Sequence, residues 1–445
     1  MSPSAARPRP IGRLWALAAC GACLGACAVA FNLLYLCVPP GWTPVHGFAP
    51  TIGAAYGGLP RLALTVKQVV TASAVLQVGM WGAFLAALRI AAGLRDGAAS
   101  ATAFRLIAIG GAAIAAALIL TPPTLSPDLY HYALFGRMII TRGLNPYVTP
   151  GSAVADDPLF ALASWPDFAT HYGPVFTGLS VIAAWLGGGH AIGTAVAFKT
   201  LAAAGGALTA GCAAALARRD GRDGLLPLAL VAWNPLALVE SAGSGHNELI
   251  MMGLALLGVL VARRGRPNAG FALLVASAHV KWITAALAAL VAVARVRDAA
   301  GARRRVREAA ILATLAAAIT AALYAPFWAG LHGMTATSRL LGATRTDVSR
   351  AGTISSVNLV LFGAVVLVAV AVVGRRGRPL VLDMAAVASL GFVTFVFPWV
   401  FPWYMLPTVA LLAVGPPTRL NTGLLIVAGA ASMLLMAFWA VLQPR

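Results

Sequence analysis

Apolar runs of about 20 residues recur along nearly the whole chain, and in helical form each is long enough to cross a hydrocarbon core about 30 Å thick. The full-length runs fall at 14–37, 69–94, 104–120, 191–217, 225–239, 249–261, 309–328, 355–373, 380–396, 404–414 and 420–442. Of the 445 residues, 60% are hydrophobic and 10% charged, too few charges to cover a soluble surface. Removing the runs leaves no soluble domain. Residues 1–445 are therefore expected to form one all-α, multi-pass membrane domain. Arg7, Arg9 and Arg13 before the first run imitate a secretory signal, but that run exceeds a typical signal core, so it is read as an uncleaved first span.

The net charge of +19 is not spread evenly. Arginines cluster in short segments between runs, around 218–222, 263–266, 295–307 and 375–378. This is the positive-inside pattern of a membrane protein, and no nucleic-acid partner is expected. It puts the N-terminus on the cytoplasmic side, the long polar segment 121–172 outside, and two further outer loops at 329–357 and 42–67; the C-terminus should also lie outside. Two apolar stretches, 171–189 and 270–294, must then return to the side they leave. Each is expected to be a re-entrant hairpin or two short tilted helices, with its irregular backbone buried or lining a cavity.

The five cysteines show no disulfide framework. Cys20, Cys23 and Cys27 share one helix face and read as small packing residues. The chain has no clear internal repeat, which weighs against a transporter built from matched halves.

Acidic residues are scarce, and those on the outer side stand out. Asp128 follows a span directly, after Ser126 and Pro127, and opens a helix that carries Tyr130, Tyr132, Arg137 and Arg142. That mixture reads as an interfacial amphipathic helix. A carboxylate at such a boundary can take a proton from a hydroxyl, with partial desolvation raising its basicity; equally, Asp128 can be only a helix cap. Gly143-Leu-Asn145-Pro-Tyr147 ends this helix, and His171-Tyr172-Gly-Pro174 reads as another turn.

A second constellation runs from Trp233-Asn-Pro235 through Glu240 to His246, Asn247 and Glu248. It supplies a base, an amide and a carboxylate on one turn. A metal would find only two good ligands there, so capping and sugar hydrogen bonding are the better reading, and no metal or other cofactor is expected. Lys281, mid-run beside His279, is costly to bury and is a functional candidate by default: it can meet a lipid phosphate, or pair with Glu240 or Glu248. Arg345 and Arg350, with Arg339, suit a phosphate. The segment from Phe397 to Trp403 and Tyr404 reads as an outer aromatic belt that either stacks on sugar or anchors a helix.

These motifs resemble the polyprenol-phosphate-mannose-dependent α-1,6-mannosyltransferases, lipomannan-backbone enzymes of the GT-C class. The resemblance lies chiefly in Ser-Pro-Asp128-Leu-Tyr-His-Tyr-Ala-Leu-Phe-Gly-Arg and Gly143-Leu-Asn-Pro-Tyr147. The later segments His171–Pro174, Trp233–Pro235, Gly245–Glu248, Lys281 and Pro402–Tyr404 follow in family order. It implies a GT-C fold of about 11–13 transmembrane helices with short, re-entrant or membrane-parallel helices in the first outer loop. It also implies Asp128 as the catalytic base, and an inverting transfer of mannose from a polyprenyl-phosphate donor to a glycan or glycolipid at the outer face of the cytoplasmic membrane. Tyr130, Tyr132, Arg137, Asn145, Tyr147, His171, Tyr172, His246, Asn247, Glu248, Lys281, Arg345, Arg350, Trp403 and Tyr404 are the candidate substrate-binding residues. Glu248 stands where the family commonly has Asp. The sugar is not fixed, since related families transfer arabinofuranose. A transporter or flippase of a lipid-linked sugar is the alternative from another class.

Overall fold

The computed structural model describes residues 10–34, 64–94, 97–123, 126–163, 166–330, 356–395, 401–415 and 418–441, and the secondary structure of these residues is helical. In chain order the helices are α1 (Pro10–Leu34), α2 (Val66–Ala92), α3 (Gly97–Leu120), α4 (Asp128–Arg142), α5 (Pro174–Gly187), α6 (Ala191–Arg219) and α7 (Leu225–Ala232). They continue with α8 (Glu248–Arg263), α9 (Pro267–Ala278), α10 (Ala285–Asp298), α11 (Gly301–Tyr324), α12 (Ser356–Arg376), α13 (Val381–Phe395), α14 (Leu406–Val414) and α15 (Arg419–Val441).

Six of the described helices are long and apolar enough to cross a membrane. A seventh span results if α7 and its continuation Pro235–Gly243, bent by 48°, count as one. The chain is thus an all-α, multi-pass membrane protein. Several apolar runs expected as full spans are instead short or broken helices. The run 225–239 breaks because Pro235 lacks an N–H and disfavours helix at the residue before it. Asn234 then caps the new segment, its Oδ1 accepting from the N–H of Leu236 (3.0 Å) and Ala237 (3.3 Å). Leu238–Gly243 continues as a π-turn.

The two ambiguous stretches resolve differently. The second is two short helices, α9 and α10, that return to the same end. Arg295 near the end of α10 donates to Pro267 O (3.0 Å) and Asn268 Oδ1 (2.7 Å) at the start of α9. The first is neither a hairpin nor a pair of helices but one 14-residue helix, α5. Its two ends stay beside α4: Tyr172, just before it, packs on Tyr132, and Tyr130 OH reaches Ala191 O just after it (3.2 Å). Leaving and returning needs no hairpin because a helix of this length lies against α4 without crossing the bundle.

The arginine clusters gather at one end, and there they meet helix C-termini. Arg13 donates to Gly93 O at the end of α2 (2.8 Å). Arg222 bonds Val414 O and Gly415 O at the end of α14, and Arg297 bonds Gly374 O (2.9 Å) and Arg375 O (3.0 Å) at the end of α12. Terminal carbonyls carry the negative end of the helix dipole, so guanidinium groups satisfy both the orphan acceptors and the field. Cys20, Cys23, Cys27 and Cys212 are free thiols, and Cys27 Sγ packs against Gly79 of α2.

Candidate functional site

Away from the basic end, the N-termini of α4, α5, α8, α10 and α14 converge. α9 rises about 18 Å from the arginine layer before it breaks. At the break, Val280 is buried and Lys281 precedes a short 3-10 turn leading into α10. The turn before α5 docks on this break: Gly173 N donates to Val280 O (3.3 Å) and Val175 N to His279 O (3.1 Å). Only glycine allows that approach, because a Cβ at residue 173 would lie 2.1 Å from His279 O.

The turn before α8 comes to the same place. Gly245, at φ +80°, packs against the side chain of Leu129, the neighbour of Asp128. Lys281 Nζ lies 2.5 Å from Glu248 Oε1, 4.5 Å from the Tyr404 ring centroid and 5.7 Å from that of Tyr172. The His246 ring stacks on Trp403 at 3.9 Å, and Trp403 stacks on Phe401 at 4.5 Å. Tyr172 OH donates to Tyr132 OH (3.3 Å). The charges of Asp128 and Glu248 both act on Tyr132 and Tyr172.

Asp128 is part-buried in the first turn of α4, and its N–H donates to Ser126 Oγ (3.2 Å). The N-cap position is Pro127, which offers no side-chain cap, and Asp128 stands at the positive end of α4, which favours a carboxylate. Three carboxylates share this region, Asp128, Glu240 and Glu248. Lys281 and the helix N-termini offset their repulsion. His246 Nε2 is 3.5 Å from Glu240 Oε2. Both ring nitrogens of His246, both amide atoms of Asn247 and Glu248 Oε2 are buried without a hydrogen-bond partner among the described residues. Buried polar groups are normally bonded, so this turn holds capacity that the protein itself does not use.

Other candidates spend their polar atoms on the protein. Arg137 pairs with Asp157 (2.7 Å), and Arg142 pairs with Asp156. Asn145 Nδ2 donates to Phe327 O (2.8 Å), and its Oδ1 accepts from Tyr147 N (3.0 Å). Tyr147 OH donates to Tyr172 O (3.0 Å) and shares a hydrogen bond with Thr177 Oγ1 (3.0 Å). These residues brace the segment after α4 against α5 and the end of α11. Nor is α4 a surface helix: Leu129 through Gly136 are all buried. Trp403 and Tyr404 are buried beside His246 and Lys281 rather than displayed in a belt. Arg339, Arg345 and Arg350 lie outside the described residues, as do residues 397–400 of the belt segment. His171 is held neutral, its pKa lowered to about 3 by burial first and then by the charges of Lys281 and His131.

One residue escaped the sequence reading. Lys199, fully buried in α6, donates to Leu118 O (2.6 Å) and Thr121 O (2.5 Å). It closes the end of α3, from which the chain proceeds to Asp128, and its stem packs near Gly245. The signal was available: a lone lysine inside a 29-residue apolar helix. Among the described residues no group of three or more His, Cys, Asp or Glu is arranged to hold a metal ion.

Residues 23–297 match the family model described as alpha-(1->6)-mannopyranosyltransferase, N-terminal domain. An alpha-(1->6)-mannopyranosyltransferase A of Corynebacterium glutamicum is 32% identical over 173 residues, 38% of this chain and 35% of that protein. Its namesake in Mycobacterium tuberculosis is 30% identical over 172 residues, 37% of this chain and 32% of that protein. A probable alpha-(1->6)-mannopyranosyltransferase of Mycolicibacterium smegmatis is 32% identical over 152 residues, 33% of this chain and 27% of that protein. The chain thus covers about a third of the length of the curated relatives it matches. No solved structure matches. The family match spans more than half of the residues and includes Asp128, the His246–Glu248 turn and Lys281, and the chain belongs to the alpha-(1->6)-mannopyranosyltransferase family.

Proposed function

We propose that the place where the helix N-termini meet is the active site of an inverting mannosyltransferase. It takes mannose from a polyprenyl-phosphate donor and forms an α-1,6 linkage on a glycan or glycolipid at the outer face of the cytoplasmic membrane. The observation that carries this reading is the convergence itself. Each helix N-terminus carries roughly half a positive charge, a favourable setting for an anionic group that must leave. Buried tyrosines and the unused hydrogen-bonding groups of His246, Asn247 and Glu248 suit a polyhydroxy ring, and the apolar helices around them suit a lipid tail.

In this reading Asp128 accepts the proton of the acceptor hydroxyl as its oxygen attacks the anomeric carbon. The bond from that carbon to the phosphate oxygen breaks, and the electron pair leaves on the lipid phosphate, which is already anionic and needs no strong general acid. Lys281 serves chiefly to neutralise and fix Glu248, so it acts on the sugar through that carboxylate. Backbone N–H groups at the helix starts are left to stabilise charge on the phosphate. The chemistry as written needs no organic cofactor or metal. The arginine-rich end faces the cytoplasm, following the positive-inside rule.

The test uses membranes carrying the full chain, incubated with labelled polyprenyl-phosphate-mannose and an oligomannoside acceptor, with linkage analysis of the product. Transfer should occur and should fall by about 100-fold or more in Asp128→Asn, the usual contribution of a positioned base. An unchanged rate in that variant removes Asp128 from the role. Movement of the labelled lipid across vesicle membranes without any acceptor product would favour a flippase instead. A pentosyl donor used in place of the mannosyl one would move the reading to an arabinofuranosyl or other glycosyl transferase of the same class.

A further inference from the structure

The arginine-rich end carries a second feature that sugar transfer does not use. α11 stands at the edge of the bundle with Leu312 as its one buried residue. It is tied at three points: Glu308 to Arg295 (2.5 Å), Thr320 to His279 (2.9 Å), and Tyr324 against the Tyr147 ring at 5.5 Å. Beside the first of these ties, a cleft of about 1010 Å³ opens between α10, α11 and α12. Its walls are apolar, among them Phe271, Val293, Val296, Leu312 and Ala316, and its mouth carries Arg305 and Arg375.

We propose that this cleft binds an anionic phospholipid, with the phosphate headgroup against Arg305 and Arg375 and an acyl chain along the apolar wall. Three observations support that occupant. From Arg305 to Ala316 the cleft runs along α11 for about 17 Å, close to the depth of one leaflet. The rim charge is net positive: Asp298 is taken up by Arg297 (3.0 Å) and Arg378 (2.7 Å), while Arg305 and Arg375 are exposed, Arg305 using its Nε on Ala299 O (3.2 Å). Arg297, bonded to Gly374 O and Arg375 O, fixes the mouth rather than serving a ligand. A basic pocket between membrane helices with one apolar wall is the setting in which anionic headgroups bind. The lipid would also wedge against the helix whose far end holds Asn145 and Tyr147. The inference rests on the membrane reading alone and stands whether or not mannose is the sugar.

The test is native mass spectrometry of the purified full chain, equilibrated with equal amounts of phosphatidylglycerol and phosphatidylcholine of identical acyl chains. The wild type should retain the anionic lipid over the zwitterionic one by about tenfold, as two well-placed arginines allow. Arg305→Gln with Arg375→Gln should bring that ratio below about threefold, and Ala313→Trp, which fills the cleft without changing charge, should release both lipids. Arg303→Gln with Arg304→Gln removes equal charge from residues outside the cleft and should leave the ratio within about twofold. The proposal is overturned if the wild type shows no preference, if the control pair loses as much as the rim pair, or if filling the cleft displaces a second polypeptide rather than lipid.

Discussion

Replacing Lys281 by Met should destabilise the protein, and replacing Glu248 by Gln as well should restore the fold without restoring transfer. The pair is almost dry, with side-chain exposures of 6% for Lys281 and 0% for Glu248 and a separation of 2.5 Å. Losing the ammonium leaves a buried carboxylate whose Oε2 has no hydrogen-bond partner among the described residues, and such orphaned charges cost about 3–5 kcal/mol. Glu248→Gln alone should cost less, because Lys281 keeps the faces of Tyr404 and Tyr172, worth about 1–2 kcal/mol in a desolvated site. The double variant removes both charges and should return to within about 1 kcal/mol of wild type. The coupling should therefore exceed about 2 kcal/mol, or roughly 30-fold in the unfolding equilibrium. Reversible unfolding in mixed micelles measures it, and transfer is assayed on the same samples. Additive single and double variants would show that the charges do not depend on each other. A double variant with full transfer would show that the pair serves only the fold.

Gly173→Ala places a methyl group against the carbonyl of His279, which as backbone cannot swing away. With two backbone hydrogen bonds at risk and overpacking of about 1–3 kcal/mol, transfer should fall at least tenfold, and amide exchange at residues 173 and 175, the two donors, should speed up. Lys199→Met trades the cost of a buried ammonium against the lost bond to Thr121 O, since Leu118 O keeps the N–H and Oγ1 of Thr121. Global stability should move by less than about 2 kcal/mol while exchange protection at 121–130 drops; unchanged protection there would contradict the capping role. His171 is depressed from its ordinary value to about 3, so the stability it contributes is full above about pH 6.5 and is lost as pH falls toward 3. Its slope should stay below about 1.4 kcal/mol per pH unit, the limit for one exchanged proton, and His171→Gln should flatten the acid limb of a pH–stability curve.

Much of this arrangement was written in the linear order of residues. Long apolar runs demand helices because lipid offers the backbone no partners. Clustered arginines mark one end of each helix whatever the packing, and in the folded chain they meet C-terminal carbonyls there. Asp128 after a proline-rich helix stop, the His246–Glu248 turn and Lys281 inside an apolar run were all conspicuous because polar groups in such places carry a large cost. Lys199 obeyed the same logic and was overlooked.

Pairing and burial were not written there. Hydropathy is a property of a short window, whereas partner choice depends on which helices touch. Glu240 and Glu248 were equal candidates for Lys281 until the break at 279–281 came up beside the start of α8. Asn145, Tyr147 and Arg137 looked like ligand residues because a polar atom in a turn has the same signature whether it meets a sugar or Phe327 O. The belt at Trp403 and Tyr404 turned inward for a similar reason: an aromatic ring suits a bilayer interface and a buried stack on His246 equally well. Close packing made the choice, since Gly173 against His279 and Gly245 against Leu129 bring together segments more than 100 residues apart at distances that no local rule encodes.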